Sequence, residues 1–370
     1  MRQKRSLVKA VAVVALTVVA AACSNGGRNN TTGSFNGTPL TAAGSTFVQP
    51  VYQKWFHDFN AVESNAQINY QAIGSGGGIS DLQSKTVDFA DSDAPLQSSD
   101  MKSGFDTGTV EELPVVLGAV SLAYNVPGVK SGLKLDGPTI AGIFLGTIKN
   151  WDDNAITSLN PGVTLPHLAI QTVHRADESG TTFVFTSWLS QESPAWTQKV
   201  GPPDKAVQWP GGTGGNGSSG VAAAIQQTKG AVGYVEYQYA VTTSLGVAGV
   251  KGKNSSDFVA PSVASISAAG GGLTFPISST TNVLNSSASG AYPMTSTTYF
   301  MAYKDLSHGH QPSMDKAQTI VDLLQWMLTK GQNEVQSLNF APLPSSVATA
   351  AIQHISDFTY QGKSLTPNTK

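Results

Sequence analysis

Apolar positions along the chain alternate between the spacing of a helix and that of a strand. Val51, Trp55 and Phe59 fall on one stripe and predict a helix over residues 47–60, whereas the alternation over residues 67–73 predicts a strand. Further strands are predicted over residues 87–90, 113–124, 169–174 and 232–239, and further helices over 74–85, 139–144, 180–189, 221–227 and 318–330. This alternation predicts an α/β fold assembled from βαβ units.

The first 22 residues have the pattern of an export signal, with basic residues followed by a short apolar run over residues 10–22. That run is too short to span a bilayer comfortably, and it ends directly before Cys23, the only cysteine. The arrangement is similar to a bacterial lipobox and predicts that Cys23 is lipidated and becomes the mature N-terminus. The alternative is an ordinary cleavage site with an incidental thiol. Residues 23–38, rich in Ser, Asn, Gly and Thr, are predicted to form a flexible tether.

Composition favours a large exported α/β protein. The chain has 370 residues, of which 12% are charged, and its net charge of −2 offers no basic surplus for nucleic acid. With a single cysteine it cannot form an internal disulfide, so its stability must come from a substantial apolar core.

Three distant segments predict the walls of one oxyanion pocket: residues 43–47 (AGSTF), 74–78 (GSGGG) and 175–182 (RADESGTT). Each combines small residues, which let the backbone approach a ligand, with Ser or Thr hydroxyls. Two of the three precede predicted helices. Free backbone N–H groups and the positive end of the helix dipole would meet there, so a tetrahedral anion could be held with little added charge.

These segments carry a family resemblance. Together with residues 87–96 (VDFADSDAPL), 145–153 (LGTIKNWDD) and 233–237 (GYVEY), they resemble the phosphate-binding proteins of bacterial phosphate-specific ABC importers, and they occur in that family's order. The resemblance runs from about residue 38 to the C-terminus. Six ordered segments are far more specific than a single Gly-rich loop.

The resemblance implies a two-lobed clamp of the periplasmic-binding-protein type II class. Two strands, over residues 117–125 and 291–298, would cross between the lobes. Lobe 1 would comprise residues 39–118 and 292–370, and lobe 2 residues 119–291. The implied function is capture of inorganic phosphate in the cleft between the lobes and its delivery to the importer's permease subunits, which work with a cytoplasmic ATPase. The protein would face the periplasm or cell exterior, anchored to the membrane through the Cys23 lipid.

The resemblance also implies the ligand contacts. The expected phosphate-binding residues are Thr46, Phe47, Ser75, Asp93, Arg175, Ser179, Gly180 and Thr181. Asp177 is expected to hold the Arg175 guanidinium, whose planar fork suits two phosphate oxygens. Thr46, Ser75 and Asp177 have a purely structural alternative as helix caps.

Asp93 is expected to act as a filter. A carboxylate repels an anion by several kcal/mol where water is scarce, so it is useful only if the ligand brings a proton. Phosphate has a hydroxyl that can donate, whereas sulfate has only acceptors. The alternative for Asp93 is a turn residue before Pro95. Asp91 is interpreted as a solvated or structural neighbour.

The sequence does not decide the roles of two residues near Arg175, His174 and Glu178. His174 either tunes the local field or is a partly buried residue at a strand end. Glu178 stands where relatives commonly have Gly, which puts the local loop conformation in question.

Other chemistry is poorly supported. The pair His308 and His310 has no acidic or cysteine partners for a metal site, and residues 211–217 lack the Gly-Lys-Ser/Thr ending of a nucleotide loop. No Ser, His and acid fall in a recognisable triad order. We therefore expect a binding protein without cofactor or metal rather than an exported phosphohydrolase. A sulfate or molybdate receptor is a lesser alternative, against which Asp93 argues.

Overall fold

The computed structural model describes residues 37–276 and 283–368. Its strands are β1 (Leu40–Gly44), β2 (Ile68–Ala72), β3 (Phe89–Ser92), β4 (Val110–Asn125), β5 (Lys134–Asp136), β6 (Gln171–Arg175), β7 (Thr213–Gly215), β8 (Ala231–Glu236), β9 (Gly246–Val247), β10 (Gly249–Lys251), β11 (Thr295–Tyr303), β12 (Thr359–Tyr360) and β13 (Lys363–Ser364). Its α-helices are α1 (Gln49–Val62), α2 (Ser75–Gln83), α3 (Gly137–Phe144), α4 (Asn154–Thr157), α5 (Gly180–Glu192), α6 (Pro194–Val200), α7 (Gly217–Gln227), α8 (Tyr237–Thr242), α9 (Val263–Gly270), α10 (Met314–Leu328) and α11 (Ser345–His354). The predicted α/β class is confirmed.

The predicted elements are present, with boundary differences that have local causes. Helix α1 begins at Gln49, because Pro50 fits only its first turn, and it buries the predicted stripe of Val51, Trp55 and Phe59. The strand predicted over residues 232–239 is wrong at its end. Glu236 accepts a hydrogen bond from the Gln238 N–H at 2.6 Å and so caps α8, which begins at Tyr237.

One long sheet runs through the molecule in the order β2-β1-β3-β11-β4-β8-β6-β7, and β9 also pairs with β4. Strands β1, β2 and β3 are parallel to one another, as are β6, β7 and β8. Between these two groups lie β11 and β4. Strand β4 pairs with β11 through Ala119 and with β8 from Val120 onward, so a single strand joins both groups.

The middle of β4 packs directly behind the first predicted anion segment. The ring of Phe47 is fully buried and lies edge-on to Phe340, with the ring centroids 5.7 Å apart. A Cβ at Gly118 would lie 2.5 Å from the Phe47 ring. Only glycine at position 118 therefore lets β4 approach the loop that carries Thr46 and Phe47.

The N-terminal predictions fall mostly outside the described residues. The export signal, Cys23 and the tether through residue 36 lie there. Thr38, counted in the predicted tether, instead donates its N–H to Thr319 Oγ1 at 3.0 Å and so belongs to the packed fold. Over residues 37–276 and 283–368, no helix has both the length and the apolar character needed to cross a membrane.

Candidate anion-binding site

Four helices begin close together, although the strands that precede them lie at the two ends of the sheet order. These are α1, α2, α5 and α7, which follow β1, β2, β6 and β7. Thr46, just before α1, has its Oγ1 2.9 Å from Ser218 Oγ in the first turn of α7. A Cβ at Gly180, the first residue of α5, would lie 2.5 Å from Ser75 Oγ, at the start of α2. The N-terminal N–H groups of these helices, which have no acceptor within their own helix, therefore converge.

Asp93 lies at the centre of this convergence and is only 2% exposed. Its Oδ2 accepts from Ser45 Oγ at 2.6 Å, and its Oδ1 accepts from Thr298 Oγ1 at 2.7 Å. Each carboxylate oxygen has two lone pairs, so both retain the capacity to accept a further hydrogen bond. The carboxyl group is thus held rigidly and can still receive a proton donor.

The pKa of Asp93 reflects its burial. Loss of water raises this pKa to about 6, while the hydroxyl donors Ser45 and Thr298 and the positive charge of Arg175 oppose the rise. The carboxyl group is therefore mostly ionised at neutral pH, and Arg175 makes its ion pair with Asp177 and not with Asp93.

Arg175 is buried and is oriented by Asp177. The guanidinium donates from Nε to Asp177 Oδ1 at 2.7 Å and from Nη2 to Asp177 Oδ2. Burial acts to raise the pKa of Asp177, but the hydrogen bonds and charge of Arg175 outweigh it and lower that pKa. Nη1 donates to Thr181 Oγ1 at 3.3 Å. Arg175 thus uses three of its five N–H groups, and two remain for a ligand.

Asp177 also contacts the start of α7. Its Oδ1 accepts the Gly217 N–H at 3.0 Å, so it serves as a helix-terminus acceptor and as the partner of Arg175. Asp177 therefore makes both contacts that the sequence offered as alternatives: it holds the Arg175 guanidinium, and it accepts from the N-terminus of a helix.

The N-terminus of α5 supplies Ser179, Gly180 and Thr181. Ser179 is the N-cap, and its Oγ accepts from the Thr182 N–H at 3.2 Å. Because the Ser179 and Thr181 hydroxyl oxygens accept hydrogen bonds, their own protons are available to a ligand. A Cβ at position 180 would lie 2.8 Å from Asp93 Oδ2, so glycine keeps this space open.

Thr46 and Phe47 lie between β1 and α1, and Thr46 is next to the start of α7. The N-cap of α1 is Val48, so the interpretation of Thr46 as a helix cap is wrong. Thr46 Oγ1 instead accepts the Ser218 N–H at 3.0 Å. The N–H of Phe47 donates to Ser45 Oγ at 3.0 Å, whereas that of Thr46 donates to no residue within the described ranges.

Ser75 is the first residue of α2, whose N-cap is Gly74. Ser75 Oγ accepts the Asp93 N–H at 3.3 Å, which connects the second predicted segment to the backbone of Asp93. Gly74 has φ +93°, and a Cβ there would lie 2.5 Å from Asp177 Oδ2. The position therefore requires glycine for both its backbone conformation and its close approach to the Arg175 loop.

Asp91, His174 and Glu178 lie beside the candidate site and differ in burial. Asp91 is fully buried, so the solvated alternative is wrong. Burial raises its pKa well above the ordinary value, and Tyr52 donates a hydrogen bond to Oδ1. His174 is half-buried and stacks on Trp209 at 4.9 Å between ring centroids. Glu178 has an exposed side chain, and its carbonyl accepts the Gly76 N–H at 3.1 Å.

Several supporting residues were missed from the sequence. They are Ser45, Ser218, Tyr234, Tyr239 and Thr298. Tyr234 OH accepts the Arg175 N–H at 3.0 Å, and Tyr239 OH donates to the Thr46 carbonyl at 2.8 Å. Ser45 and Tyr234 lie inside motif segments and could have been noticed there. Thr298 follows Asp93 by 205 residues, and only the sheet order places them together.

A separate cavity of about 320 Å³ touches Asp93 from another side. Its walls mix apolar side chains such as Phe183, Val184 and Leu273 with polar ones such as Gln191 and Thr297. The apolar part of this lining does not suit a small, strongly hydrated anion. The candidate anion position is therefore the polar space bounded by Ser75, Arg175 and Gly180.

Comparisons with known proteins find relatives over most of the chain. Residues 29–330 match the model of the PBP superfamily domain. The chain is 38% identical over 312 residues to the phosphate-binding protein PstS of Xylella fastidiosa strain Temecula1, covering 83% of this chain and 82% of the relative. It is 34% identical to the phosphate-binding protein PstS of Methanocaldococcus jannaschii, covering 93% and 92% of the two chains.

Solved structures show the same fold. A high-affinity periplasmic phosphate-binding protein, PfluDING, bound with phosphate, has a TM-score of 0.67 at 19% identity, covering 86% of this chain and 94% of its own. A putative phosphate ABC transporter substrate-binding protein from Clostridium perfringens, with bound phosphate, has a TM-score of 0.58 at 18% identity, covering 83% and 100%.

The raised pKa of Asp93 predicts that the difference in unfolding free energy between the parent and Asp93→Asn depends on pH. A carboxyl group whose pKa is higher in the folded state stabilises the fold below its unfolded pKa of about 4, and this contribution is lost as pH rises through about 6. In phosphate-free protein, Asp93→Asn should therefore gain stability relative to the parent between pH 4 and 7, by up to about 3 kcal/mol. Urea unfolding across this range measures the difference.

The exposed carboxylate Asp257 provides the control, because Asp257→Asn removes a charge that is already solvated. A stability difference for Asp93→Asn that changes with pH no more than the one measured for Asp257→Asn would show that burial does not govern the protonation of Asp93.

Proposed function

Because the chain belongs to the PBP superfamily and, within it, to the phosphate-binding proteins named PstS, we propose that it captures inorganic phosphate at the site around Asp93. It then delivers phosphate to an ABC-type importer. Within this two-lobed type II fold, the proposed ligand contacts are Thr46, Phe47, Ser75, Asp93, Arg175, Ser179, Gly180 and Thr181.

The observation that carries the proposal is the environment of Asp93. An anion site with a buried carboxylate is unfavourable unless the ligand donates a hydrogen bond to it. The carboxylate has lone pairs left after binding Ser45 and Thr298, and hydrogen phosphate has the hydroxyl to fill one of them. Sulfate and molybdate as dianions lack that donor, so the site favours phosphate.

Hydrogen-bond donors are available for the remaining phosphate oxygens. Arg175 offers the two N–H groups that Asp177 and Thr181 do not use, and α2 and α5 offer their first N–H groups. The positive helix ends and the guanidinium offset the ligand's charge, which Asp93 alone would repel. Phe47 is proposed to contribute its N–H once Ser45 releases it.

We propose that the lobes are bounded as the sequence suggested, with residues 39–118 and 292–370 in lobe 1 and residues 119–291 in lobe 2. Strand β4 supports this division, since its partner changes from β11 to β8 at Val120. Asp93 and Ser75 would then lie on lobe 1 and Arg175 on lobe 2. Bound phosphate would join the lobes and favour their closed arrangement.

We propose binding without catalysis. Asp177 accepts from Arg175 and from the Gly217 N–H, and in the proposed complex Asp93 accepts the ligand's hydroxyl in addition to Ser45 and Thr298, so neither carboxyl group is left to activate water. A hydrolase would need one of them to activate water or act as a nucleophile. The proposed partners are the importer's permease subunits with their ATPase.

We further propose that the protein is exported by the signal in residues 1–22 and anchored outside the cytoplasm by a lipid on Cys23. The family's members named as periplasmic binding proteins support an extracytoplasmic location. A lipid at Cys23 and a tether before Thr38 would keep the cleft near the permease while leaving it free to reorient.

The filter is tested by replacing Asp93. Asp93→Asn keeps the shape but loses an obligate acceptor, so phosphate binding should weaken and discrimination against sulfate should narrow. Calorimetric titration of stripped protein with each anion measures both. Asp177→Asn is the contrasting variant, which should weaken phosphate and sulfate alike because it releases Arg175. If Asp93→Asn rejects sulfate as strongly as the parent, Asp93 is not the filter.

The two-sided grip is tested through Arg175. Arg175→Ala should weaken phosphate binding by about 2–5 kcal/mol, because the ligand loses a charged partner and Asp177 is left unpaired. Small-angle scattering should show that phosphate compacts the parent and compacts Arg175→Ala much less at the same concentration. Lys199→Ala, which removes an exposed charge on α6, should behave as the parent does. An unchanged radius of gyration in the phosphate-saturated parent would favour a rigid pocket.

The anchor is tested by Cys23→Ala. Without the thiol no lipid can be attached, so the variant should leave the membrane fraction in detergent partitioning. Its purified soluble domain should bind phosphate with the parent's affinity, because Cys23 precedes the packed fold. Membrane retention of the variant would contradict lipid attachment at this residue.

A further inference from the structure

A buried ion pair lies close to the anion site and joins distant parts of the chain. Lys205 Nζ contacts Asp100 Oδ1 at 2.9 Å and Asp100 Oδ2 at 2.7 Å, across 105 residues of sequence. The side chain of Lys205 is 4% exposed and that of Asp100 is 12% exposed. A lysine this deeply buried is uncommon and is normally paired, as here.

The two partners belong to opposite sides of the proposed cleft. Asp100 follows β3, which pairs with β1 and β11. Lys205 lies in the segment between α6 and β7. The pair is therefore a direct contact between the two lobes proposed above.

Lys205 is also attached to the ligand-binding turn. Its carbonyl accepts the Ser179 N–H at 2.9 Å, and Ser179 is the N-cap of α5. The preceding residue, Asp204, donates its N–H to Thr186 Oγ1 on α5 at 3.4 Å. The residue whose side chain reaches the opposite lobe thus holds, through its backbone, the turn that presents Gly180 and Thr181.

We propose that Lys205 is a positioning residue that closes the cleft on Asp100 and slows ligand release. The inference rests on the proposed function, because it assigns the ion pair to the closed, phosphate-bound state. When the lobes separate, both charges return to water. When they close, the charges must meet each other, since either one alone would be buried without an opposite charge. Without Lys205, the Asp100 carboxylate would keep only the Gln97 N–H, which donates to Oδ2 at 2.9 Å.

This reasoning predicts an effect on release rather than on capture. A buried ion pair itself contributes little net stabilisation, because its attraction is offset by lost hydration. Removing one partner is different, since it leaves the other charge unpaired in the closed state and solvated in the open state. The closed state is then disfavoured selectively, and the dissociation rate of the ligand rises.

The experiment measures phosphate association and dissociation rates by stopped flow on the whole soluble domain. Lys205→Met retains much of the apolar stem and removes the charge. We expect its dissociation rate to rise at least about tenfold, with the association rate changed much less. Asp100→Asn should raise the dissociation rate in the same direction.

A double variant separates charge pairing from simple damage. Lys205→Met combined with Asp100→Asn removes the unpaired carboxylate, so phosphate should dissociate more slowly than from Lys205→Met alone. A residue that mattered only for packing would show no such recovery. Thermal unfolding of each phosphate-free variant shows whether it is folded.

The matched control is the ion pair of Lys316 and Asp88, in which Nζ lies 2.8 Å from Oδ1. Both residues lie within proposed lobe 1, so Lys316→Met should lower stability and leave the phosphate dissociation rate unchanged. If the parent binds phosphate and Lys205→Met releases it at the parent's rate, the proposed role of Lys205 is wrong. The proposed function is not affected by that result. Absence of phosphate binding by the folded parent would overturn the proposed function and, with it, this role.

Discussion

The proposed function depends on one electrostatic constraint, which is a buried carboxylate beside a group of helix N-termini. Asp93 is 2% exposed and accepts hydrogen bonds from two hydroxyls. Arg175 pairs with Asp177 and not with Asp93. An unprotonated ligand would meet repulsion that little water could screen. A ligand with one hydroxyl turns the same carboxylate into a hydrogen-bond acceptor. Under the proposed function, the proton on the ligand therefore decides whether binding beside Asp93 is favourable or unfavourable.

The fold serves this constraint by bringing donors from both ends of the sheet. Parallel strands precede α1 and α2 in one group and α5 and α7 in the other, so helix N-termini would surround the proposed ligand position without many formal charges. Thr298 lies on β11, next to β4, the strand that links both groups. The orientation of Asp93 is therefore coupled to the strands about which the proposed lobes would move.

Local features of the site could be predicted from the sequence, whereas its long-range partners could not. Gly180 and Ser75 lie at helix starts because small residues and hydroxyls favour such turns, and that preference is visible in a few residues. The contact of Thr298 with Asp93 depends on β11 lying beside β3, which no local pattern encodes. The sequence allows a solvated or a structural place for Asp91, and Tyr52 on α1 donates a hydrogen bond to it inside the core. Burial by a distant helix outweighed the residue's polar character.

The most direct test of the account compares two dianions of similar shape, hydrogen phosphate and fluorophosphate, by calorimetric titration of the stripped parent protein. Fluorine replaces the hydroxyl, so fluorophosphate offers the same charge and three oxygens but no proton. A site built around a ligand proton should bind fluorophosphate more weakly by at least about a hundredfold, because Asp93 is left facing an acceptor. Equal affinity for the two ions would contradict the claim that Asp93 selects its ligand through that proton.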